Sequence, residues 1–306
     1  METRPIILNI VNAHSWSWAL SSGAMLNKLP QYRFLTDARK IGQELSFDIV
    51  DFCNLTLVQN VDSIKLVKIG QRSKVVARMG GMLVDDKKNK KDRYFDDLAS
   101  CGGIIATNRE LYNISKEAND NVILCPNGVD LERFKPLEPK PTHEIFTVGF
   151  AGNIWGDGIR YKGYKPFMQA TIRLYGKIKT LTCLHMHSQI KHEEMTDKFY
   201  HKIDCLVLPS CGEGCSNVTG EALACGIPVL TTPVGYHGEM LVDGEECLFI
   251  TRDPQSIMDA ITRLLGDAEL QNKLRINGRR FAEEHHNIKQ IAKTYDVMFK
   301  RMLKRN

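Results

Sequence analysis

Short apolar runs alternate with helix-period patterns along the first half of the chain. The runs predict five β-strands, at residues 6–12, 47–53, 74–79, 103–108 and 121–128. Helical patterns fall between them, as in "LYNISKEAN" shortly after Asn108. Strands that alternate with helices are typical of parallel sheets with helical crossover connections.

The second half of the chain shows the same alternation. Its predicted strands are residues 146–152, 180–187, 204–210, 227–233 and 247–250. Its predicted helices are residues 164–177, 193–202, 217–225, 254–265, 268–285 and 288–303. The whole pattern predicts an α/β protein with two Rossmann-like, doubly wound domains that face a cleft. Ligands of such domains bind at the carboxyl ends of the strands, so this cleft is the expected active site.

A stretch rich in proline and charge, residues 131–144, predicts the linker between the domains. We therefore place one domain in residues 1–140 and the other in residues 141–286. Residues 287–306 form a final helix with an apolar face to bury. With 306 residues, the chain is long enough for two such cores.

Composition limits the classes of function. A formal charge of +5 is too small to indicate a nucleic-acid-binding protein by itself. The first residues lack a signal-peptide pattern, and no apolar stretch approaches the roughly 20 residues of a membrane span. Nine cysteines without paired CxxC spacing suit reduced thiols rather than a disulfide scaffold. We expect a cytoplasmic protein.

Two residue pairs raise the question of a metal site. Cys211 and Cys215 flank a tight, glycine-rich turn, while His185 and His187 would share one face of a strand. No second ligand pair has the spacing of a zinc site. Small residues in a loop and ordinary packing explain both pairs more simply, so we predict no metal.

The segment "PSCGEGCSNVTGEALACGIPV", residues 209–229, carries two glutamates among small and apolar residues. Glu221 lies three residues after Val218 and four before Cys225 on a predicted helix, so it should face inward. A carboxylate in that position needs hydroxyl or cationic partners. Glu213 lies in the preceding loop, on the same side of the sheet. The simpler alternative makes Glu213 a solvated loop acid and Glu221 a helix-end acid.

The start of the same helix offers a second kind of chemistry. The backbone N–H groups of Cys215, Ser216, Asn217 and Val218 open the helix and, with the helix dipole, favour an anion. Carboxylates that can bind hydroxyl groups therefore lie next to backbone N–H groups that can bind a phosphate. This combination predicts a nucleoside diphosphate sugar as the ligand.

These motifs resemble those of a known family. "PSCGEGCSNVTGEALACGIPVLTTPVGYHGE" resembles the sugar-nucleotide signature of family-4 glycosyltransferases of the GT-B fold. In that signature two glutamates separated by seven intervening residues precede Ala-x-Ala-x-Gly-x-Pro-Val. "VILCPNGVDLERFKP" resembles the family's domain junction, and "VGFAGN" followed by "YKG" resembles the first strand and phosphate lysine of its donor domain. The resemblance is strong over residues 120–306 and faint over residues 1–120.

The resemblance implies a role for each matching residue. Glu221 would bind the ribose hydroxyls, Glu213 would face the donor sugar and support charge at the reacting centre, and Lys162 would neutralise the diphosphate. The other donor-binding residues would be Gly23, Asn153, Gly214, Cys215, Ser216, Asn217 and Val218. The final helix would cross back from the donor domain onto the acceptor-side domain.

The sequence also departs from the family pattern. Asn153 stands where the family commonly has a basic residue, for which Arg160 is a candidate substitute. Gly80 stands where many relatives carry a histidine, so His14 is the nearest candidate for a catalytic group of the first domain, and Arg78 is another. The simpler alternative is that His14 is a loop histidine packed with Trp16 and Trp18. The donor domain is shorter than usual, by about one βα unit.

The reaction implied by the resemblance is transfer of a sugar from a UDP- or GDP-sugar to an acceptor. It implies retention of the anomeric configuration, without a cofactor or a required metal. The expected acceptor is a lipid-linked glycan or polysaccharide, with nucleic acid or protein as alternatives. The basic core of "DDKKNKKDRYFDD", residues 85–97, could contact anionic lipid at the inner membrane face, although a solvated loop is the simpler explanation. Two other hypotheses stay open: a sugar-nucleotide epimerase or hydrolase of the same fold, and a non-catalytic sugar-nucleotide-binding protein.

Overall fold

The structure is a computed structural model of the 306-residue chain. It describes residues 4–10, 25–35, 48–52, 75–80, 96, 98–139, 141–153, 158–184 and 190–305. The chain divides into two compact units, the first made of Met1–Gly128 with Ile288–Asn306 and the second of Val129–Asn287.

The described strands and helices are numbered in chain order. The strands are β1 (Ile6–Ile10), β2 (Arg33–Leu35), β3 (Ile49–Phe52), β4 (Val75–Met79), β5 (Gly103–Ala106), β6 (Val122–Leu124), β7 (Thr147–Gly152), β8 (Lys179–Leu184), β9 (Cys205–Leu208), β10 (Val229–Thr231) and β11 (Leu248–Phe249). The helices are α1 (Arg109–Ala118), α2 (Gly158–Tyr161), α3 (Tyr164–Arg173), α4 (Met195–Lys198), α5 (Asn217–Ala224), α6 (Gly235–Met240), α7 (Pro254–Gly266), α8 (Ala268–His285) and α9 (Ile288–Arg305).

The first unit contains a parallel sheet with the strand order β2-β1-β3-β4-β5-β6. Strands β4 and β5 are buried along their whole length, as is typical of the central strands of a parallel sheet. Helix α1 follows β5 and begins at Asn108, whose side chain accepts a hydrogen bond from the backbone N–H of Leu111 at 2.8 Å. This cap satisfies one of the N–H groups that a helix start leaves without an internal partner.

Helix α9 belongs to the first unit and buries the apolar face that its sequence predicts. Its buried side chains are those of Ile288, Ile291, Ala292, Tyr295, Met298, Phe299 and Met302, in one cluster with strand residues such as Ile7 and Ile49. On its polar side, Asp296 accepts a hydrogen bond from the hydroxyl of Tyr32 at 2.7 Å. Burial raises the pKa of Asp296, but hydrogen bonds from Lys300, Tyr32 and Gln31 outweigh it and hold the pKa below the usual 3.8.

The second unit contains a parallel sheet with the order β11-β10-β9-β7-β8. Helices α3 and α7 cover one face through Phe167, Ile257 and Ile261. Helices α5 and α8 cover the other face through Leu223 and Phe281. Helices on both faces of this parallel sheet make the second unit a candidate for binding at the carboxyl ends of its strands.

The compact units divide after Gly128, before the proline-rich stretch at 131–144. The backbone N–H of Val129 donates to the carbonyl of His286 at 2.7 Å, and Phe134 is buried with its ring 5.9 Å from that of Tyr200. These contacts attach residues 129–134 to the second unit. Composition alone identifies a region without regular structure, whereas the division follows from which apolar side chains pack together.

Several elements differ from the sequence-based prediction. Strand β2 was not predicted, because it has only three residues and lies at a sheet edge. The helix predicted at 193–202 is instead a 3₁₀ turn at His192–Glu194, the short α4, and a second 3₁₀ turn at Tyr200–Lys202. Phe199 and Tyr200 are both fully buried, and the helix is interrupted at Phe199, whose φ of −127° is not helical. No described helix is both long enough and apolar enough to cross a bilayer.

Candidate functional site

Glu213 lies in the loop after β9, where two side chains hold its carboxylate. Lys162 Nζ lies 2.5 Å from Glu213 Oε1, and the hydroxyl of Ser210 donates to the same oxygen at 2.7 Å. The lysine and glutamate side chains are 28% and 13% exposed, so solvent reaches the pair. Because β7 and β9 are neighbouring parallel strands, the segments that follow them meet at one edge of the sheet. The resemblance assigned both Lys162 and Glu213 to the donor site, and they are in contact.

A glycine makes this contact possible. Gly163 has a left-handed conformation, with φ of 70°, at the start of α3. A Cβ atom there would lie 2.1 Å from the carbonyl oxygen of Pro209, so no larger residue fits without moving the backbone. The segment that carries Lys162 therefore packs directly against the end of β9. The backbone N–H of Cys211 also donates to the carbonyl of Tyr161 at 2.8 Å, which ties the two loops together.

The other side of the Glu213 loop rests on helix α6. The backbone N–H of Tyr236 donates to the carbonyl of Gly214 at 2.7 Å. Gly235 has φ of 61°, and a Cβ atom there would lie 2.2 Å from the carbonyl oxygen of Glu213. The backbone of the loop is therefore fixed from two directions.

Arg252 adds a third support to these loops. Its Nε donates to the carbonyl of Pro209 at 3.1 Å, and its Nη2 donates to the carbonyl of Arg160. A guanidinium has several donors in one plane and can bind two carbonyls at once. Arg252 therefore links the end of β9 to the segment that precedes Lys162.

Glu221 lies on α5 and is only 5% exposed, as the spacing of its helix predicts. Its Oε1 lies 2.7 Å from Nε2 of His192, and its Oε2 accepts a hydrogen bond from the hydroxyl of Tyr200 at 2.7 Å. Burial, followed by the charge of Glu221, raises the pKa of Tyr200 well above 10, so the tyrosine is a stable donor at neutral pH. The protein itself thus supplies the polar partners that a buried carboxylate requires.

Arg133 determines how His192 meets Glu221. Arg133 Nη2 lies 3.3 Å from His192 Nδ1 and also donates to the carbonyl of His192. A guanidinium can only donate, so Nδ1 is the acceptor in this contact and Nε2 is the ring nitrogen that faces Glu221. The guanidinium carbon of Arg133 lies 4.6 Å above the ring centre of Phe134, which holds the side chain in place.

The start of helix α5 lies between the two glutamates. Ser216 is its N-cap, and the serine Oγ accepts a hydrogen bond from the backbone N–H of Thr219 at 3.3 Å. Gly214, Cys215 and Ser216 are buried, whereas Asn217 and Val218 are half-buried. The predicted anion-binding amides therefore belong to a well-supported helix start.

Other residues predicted for the site are placed differently or not described. His14 and Gly23, together with His185 and His187, lie outside the described residues, as does nearly all of the charged run 85–97. Asn153 follows β7 directly and is exposed. The side chain of Arg160 is exposed as well. The roles of these residues stay predictions.

Four residues of the site were not found from the sequence: Ser210, His192, Tyr200 and Arg252. Ser210 lies inside the quoted motif but had no role assigned to it, while His192, Tyr200 and Arg252 have no motif or helical spacing that relates them to the glutamates. The sequence indicated only the chemical type of the partners, because a buried Glu221 requires hydroxyl or cationic groups around it. That signal predicts the type of partner but does not say which residue supplies it.

Comparison with known proteins agrees with the motif at the site. Residues 154–267 match the family model described as Glycosyl transferases group 1. An uncharacterized glycosyltransferase of Methanocaldococcus jannaschii is 28% identical over 211 residues, which are 65% of this chain and 60% of that protein. The capsular polysaccharide biosynthesis glycosyltransferase CapM of Staphylococcus aureus is 26% identical over 225 residues, which are 63% of this chain and 58% of CapM. The chain thus spans less than two thirds of the length of these relatives.

Solved structures resemble nearly the whole chain. HepE of Anabaena, solved in complex with UDP and glucose, has a TM-score of 0.76 at 13% identity, and the match covers 96% of this chain and 99% of HepE. The chain has the GT-B fold, and its residues 154–267 are similar to group 1 glycosyltransferases. Sucrose-phosphate synthase from Thermosynechococcus elongatus has the same TM-score, 0.76, at 14% identity, with coverage of 99% of this chain and 100% of the synthase. The predicted fold class is confirmed, while the narrower assignment to family 4 stays a prediction.

Proposed function

We propose that this GT-B protein transfers a sugar from a nucleotide diphosphate sugar to an acceptor. The observation that carries the proposal is the contact between Lys162 and Glu213, 2.5 Å apart and 51 residues apart in sequence. The pair lies beside the start of α5, in the unit that contains the group 1 glycosyltransferase match. A cation and helix-start amides can stabilise the negative charge on a departing diphosphate, and a carboxylate can stabilise the positive charge on the sugar that is transferred.

Lys162 would exchange one anionic partner for another when the donor binds. A partly exposed ion pair is worth only about 0–1 kcal/mol, so moving the ammonium from Glu213 to a phosphate costs little. In the transition state, Lys162 and the α5 amides would stabilise the charge that develops on the leaving diphosphate. Glu213, released from Lys162, would orient the hydroxyls of the sugar and support the oxocarbenium-like reacting carbon.

Glu221 would bind the ribose hydroxyls of the nucleotide. Each carboxylate oxygen can accept more than one hydrogen bond, so His192 and Tyr200 leave acceptor capacity on both oxygens. These two donors would orient the carboxylate before the nucleotide arrives. Because the carboxylate is already desolvated, the ribose does not have to displace bulk water from it.

The finer features of the reaction belong to the same proposal. We propose retention of the anomeric configuration, no required metal or cofactor in the transfer step, and a UDP- or GDP-sugar as donor. UDP comes first because HepE was solved with UDP and glucose. CapM is named for capsular polysaccharide biosynthesis, which supports a polysaccharide or lipid-linked glycan as acceptor.

A thermal-shift screen across UDP- and GDP-sugars identifies the donor, because a ligand that binds only the folded state raises the melting temperature. Transfer is then measured for Lys162→Ala and Glu213→Ala. We expect kcat to fall by about 10²–10³-fold in each, the range for loss of one group that stabilises transition-state charge. The matched control is Lys273→Ala, since Lys273 and Glu245 form a 2.7 Å pair that is 43% and 48% exposed. Unchanged kinetics in both site variants would remove the proposed roles.

A second measurement separates transfer from the alternative functions. Nucleotide release is followed with the identified donor, with and without a panel of glycan acceptors. Release that requires an acceptor supports a transferase, whereas equal release without one indicates a hydrolase. Epimerised donor would indicate an epimerase. Binding without any turnover over the whole panel would indicate a sugar-nucleotide-binding protein and overturn the proposed activity.

A further inference from the structure

Three side chains of the types that bind metals lie together beside Glu213's loop. The ligand atoms of Cys215, His237 and His286 all lie within 4.8 Å of one another, and the two histidine Nε2 atoms are 3.0 Å apart. The three residues are 4%, 2% and 0% exposed. Cys215 forms no disulfide. No spacing in the sequence links them, since they come from a loop, helix α6 and the end of helix α8.

Each ligand is held by its own element. The backbone N–H of His286 donates to the carbonyl of Ala282 at 2.9 Å, and its carbonyl accepts from Val129 at 2.7 Å. His237 lies on α6, whose first turn is hydrogen-bonded to the Glu213 loop. Cys215 directly precedes the N-cap of α5. Backbone hydrogen bonds therefore hold His286 and the helix that carries His237.

The chemistry of the cluster suits a borderline or soft metal. Imidazole and thiolate are the preferred ligands of Zn²⁺, which binds them in tetrahedral geometry with bonds of about 2.0–2.3 Å. Such bonds place ligand nitrogens about 3.3 Å apart, close to the 3.0 Å between the two Nε2 atoms.

We propose that Cys215 Sγ, His237 Nε2 and His286 Nε2 bind one Zn²⁺ ion. The ion would tie the donor-site loop and the start of α5 to α6 and to the end of α8. Both rings would then carry their protons on Nδ1, because both Nε2 lone pairs face the ion. The alternative is a metal-free pair in which one ring donates from Nε2 to the other. The metal site does not depend on the proposed sugar transfer, since its test measures binding rather than turnover.

The test uses the full chain, freed of metal with a chelator that is then removed. Competition against a chromophoric chelator should show one Zn²⁺ bound per chain. Substitution by Co²⁺ should give a thiolate-to-cobalt charge-transfer band, because one ligand is a thiolate. Cys215→Ser should abolish that band, and Cys215→Ser and His286→Gln should each weaken Zn²⁺ binding by more than about 100-fold, since changes beyond the direct ligands alone cost 10–100-fold.

Neighbouring residues provide matched controls. Cys211→Ser changes a half-buried thiol in the same loop, and His285→Gln changes the adjacent histidine, which is 34% exposed. Both controls should keep the stoichiometry and the cobalt band. The absence of the band in the unaltered protein overturns the site without any variant, so misfolding of His286→Gln cannot hide the result. Equal loss of binding in the controls, or unchanged binding in Cys215→Ser, also overturns it.

Discussion

Tyr200→Phe tests whether the contacts around Glu221 are essential to the second unit. Tyr200 is fully buried, and phenylalanine has nearly the same shape, so the change removes a hydroxyl without leaving a large cavity. What is lost is a 2.7 Å hydrogen bond to a carboxylate that is 5% exposed. Hydrogen bonds to charged groups contribute about 1.5–3 kcal/mol, so the free energy of unfolding should fall by about 2 kcal/mol.

The assay must report on the second unit alone, because a chain with two compact units need not unfold in one step. Native-state hydrogen exchange of amides in β9 and α5 meets this need. Tyr175→Phe is the matched control, since Tyr175 lies in the same unit and is 92% exposed. We expect that control to change the exchange free energy by less than about 0.5 kcal/mol.

A double-mutant cycle with Glu221→Gln isolates the interaction itself. Glutamine keeps the size of the side chain and an oxygen that can still accept, but it has no charge. If the tyrosine acts through the carboxylate, the double variant should be less destabilised than the sum of the single variants by about 1–2 kcal/mol. Additivity within about 0.5 kcal/mol would refute the reasoning, because it would mean that the hydroxyl of Tyr200 does not act through the charge of Glu221.

Three further changes test the supports of the site and of α9. Gly163→Ala should lower the free energy of unfolding by at least about 2 kcal/mol, because its Cβ would meet the carbonyl of Pro209. In the control Gly176→Ala the new Cβ has nothing within 4 Å, so the loss should be only about 1 kcal/mol. Chemical denaturation measures both losses. Arg252→Ala should cost about 1–2 kcal/mol through two lost hydrogen bonds to carbonyls, and calorimetric titration should show weaker donor binding. The lowered pKa of Asp296 stabilises the fold above about pH 4, and this contribution disappears as the pH falls. Asp296→Asn should therefore be less stable than the unaltered chain at pH 7. The difference between their melting temperatures, measured in parallel, should close toward pH 3.

Local patterns were sufficient for most of the fold. Strand β9 and helix α5 are found where the apolar run and the helical spacing place them, because each buries a face that its own residues define. The segment around Phe199 and Tyr200 could not be read this way. Both side chains enter the same core, so packing overrides the helical spacing of their neighbours.

The residues of the site also fall into two groups, those that a sequence motif predicts and those that only tertiary contacts bring into place. Lys162 and Glu213 could be related through a motif, and the neighbouring positions of β7 and β9 explain why they meet. His192 approaches Glu221 across 29 residues with no periodic relation to it. Its position depends on Arg133, which lies in a stretch whose composition indicates only a linker. Sequence therefore predicts the chemistry that Glu221 needs, and tertiary contacts decide which residue provides it.

The two glutamates are held in ways that suit different tasks. Among the described residues, both partners of Glu213 contact Oε1, and one of them is a partly exposed lysine that can exchange for a phosphate. Glu221 instead has one buried donor on each oxygen, and neither donor can leave without creating an unsatisfied buried group. A carboxylate fixed in this way is suited to a part of the ligand that does not change during the reaction, such as a ribose. The adaptable Glu213 is suited to the end where bonds and charges change, because its partner can follow the leaving group.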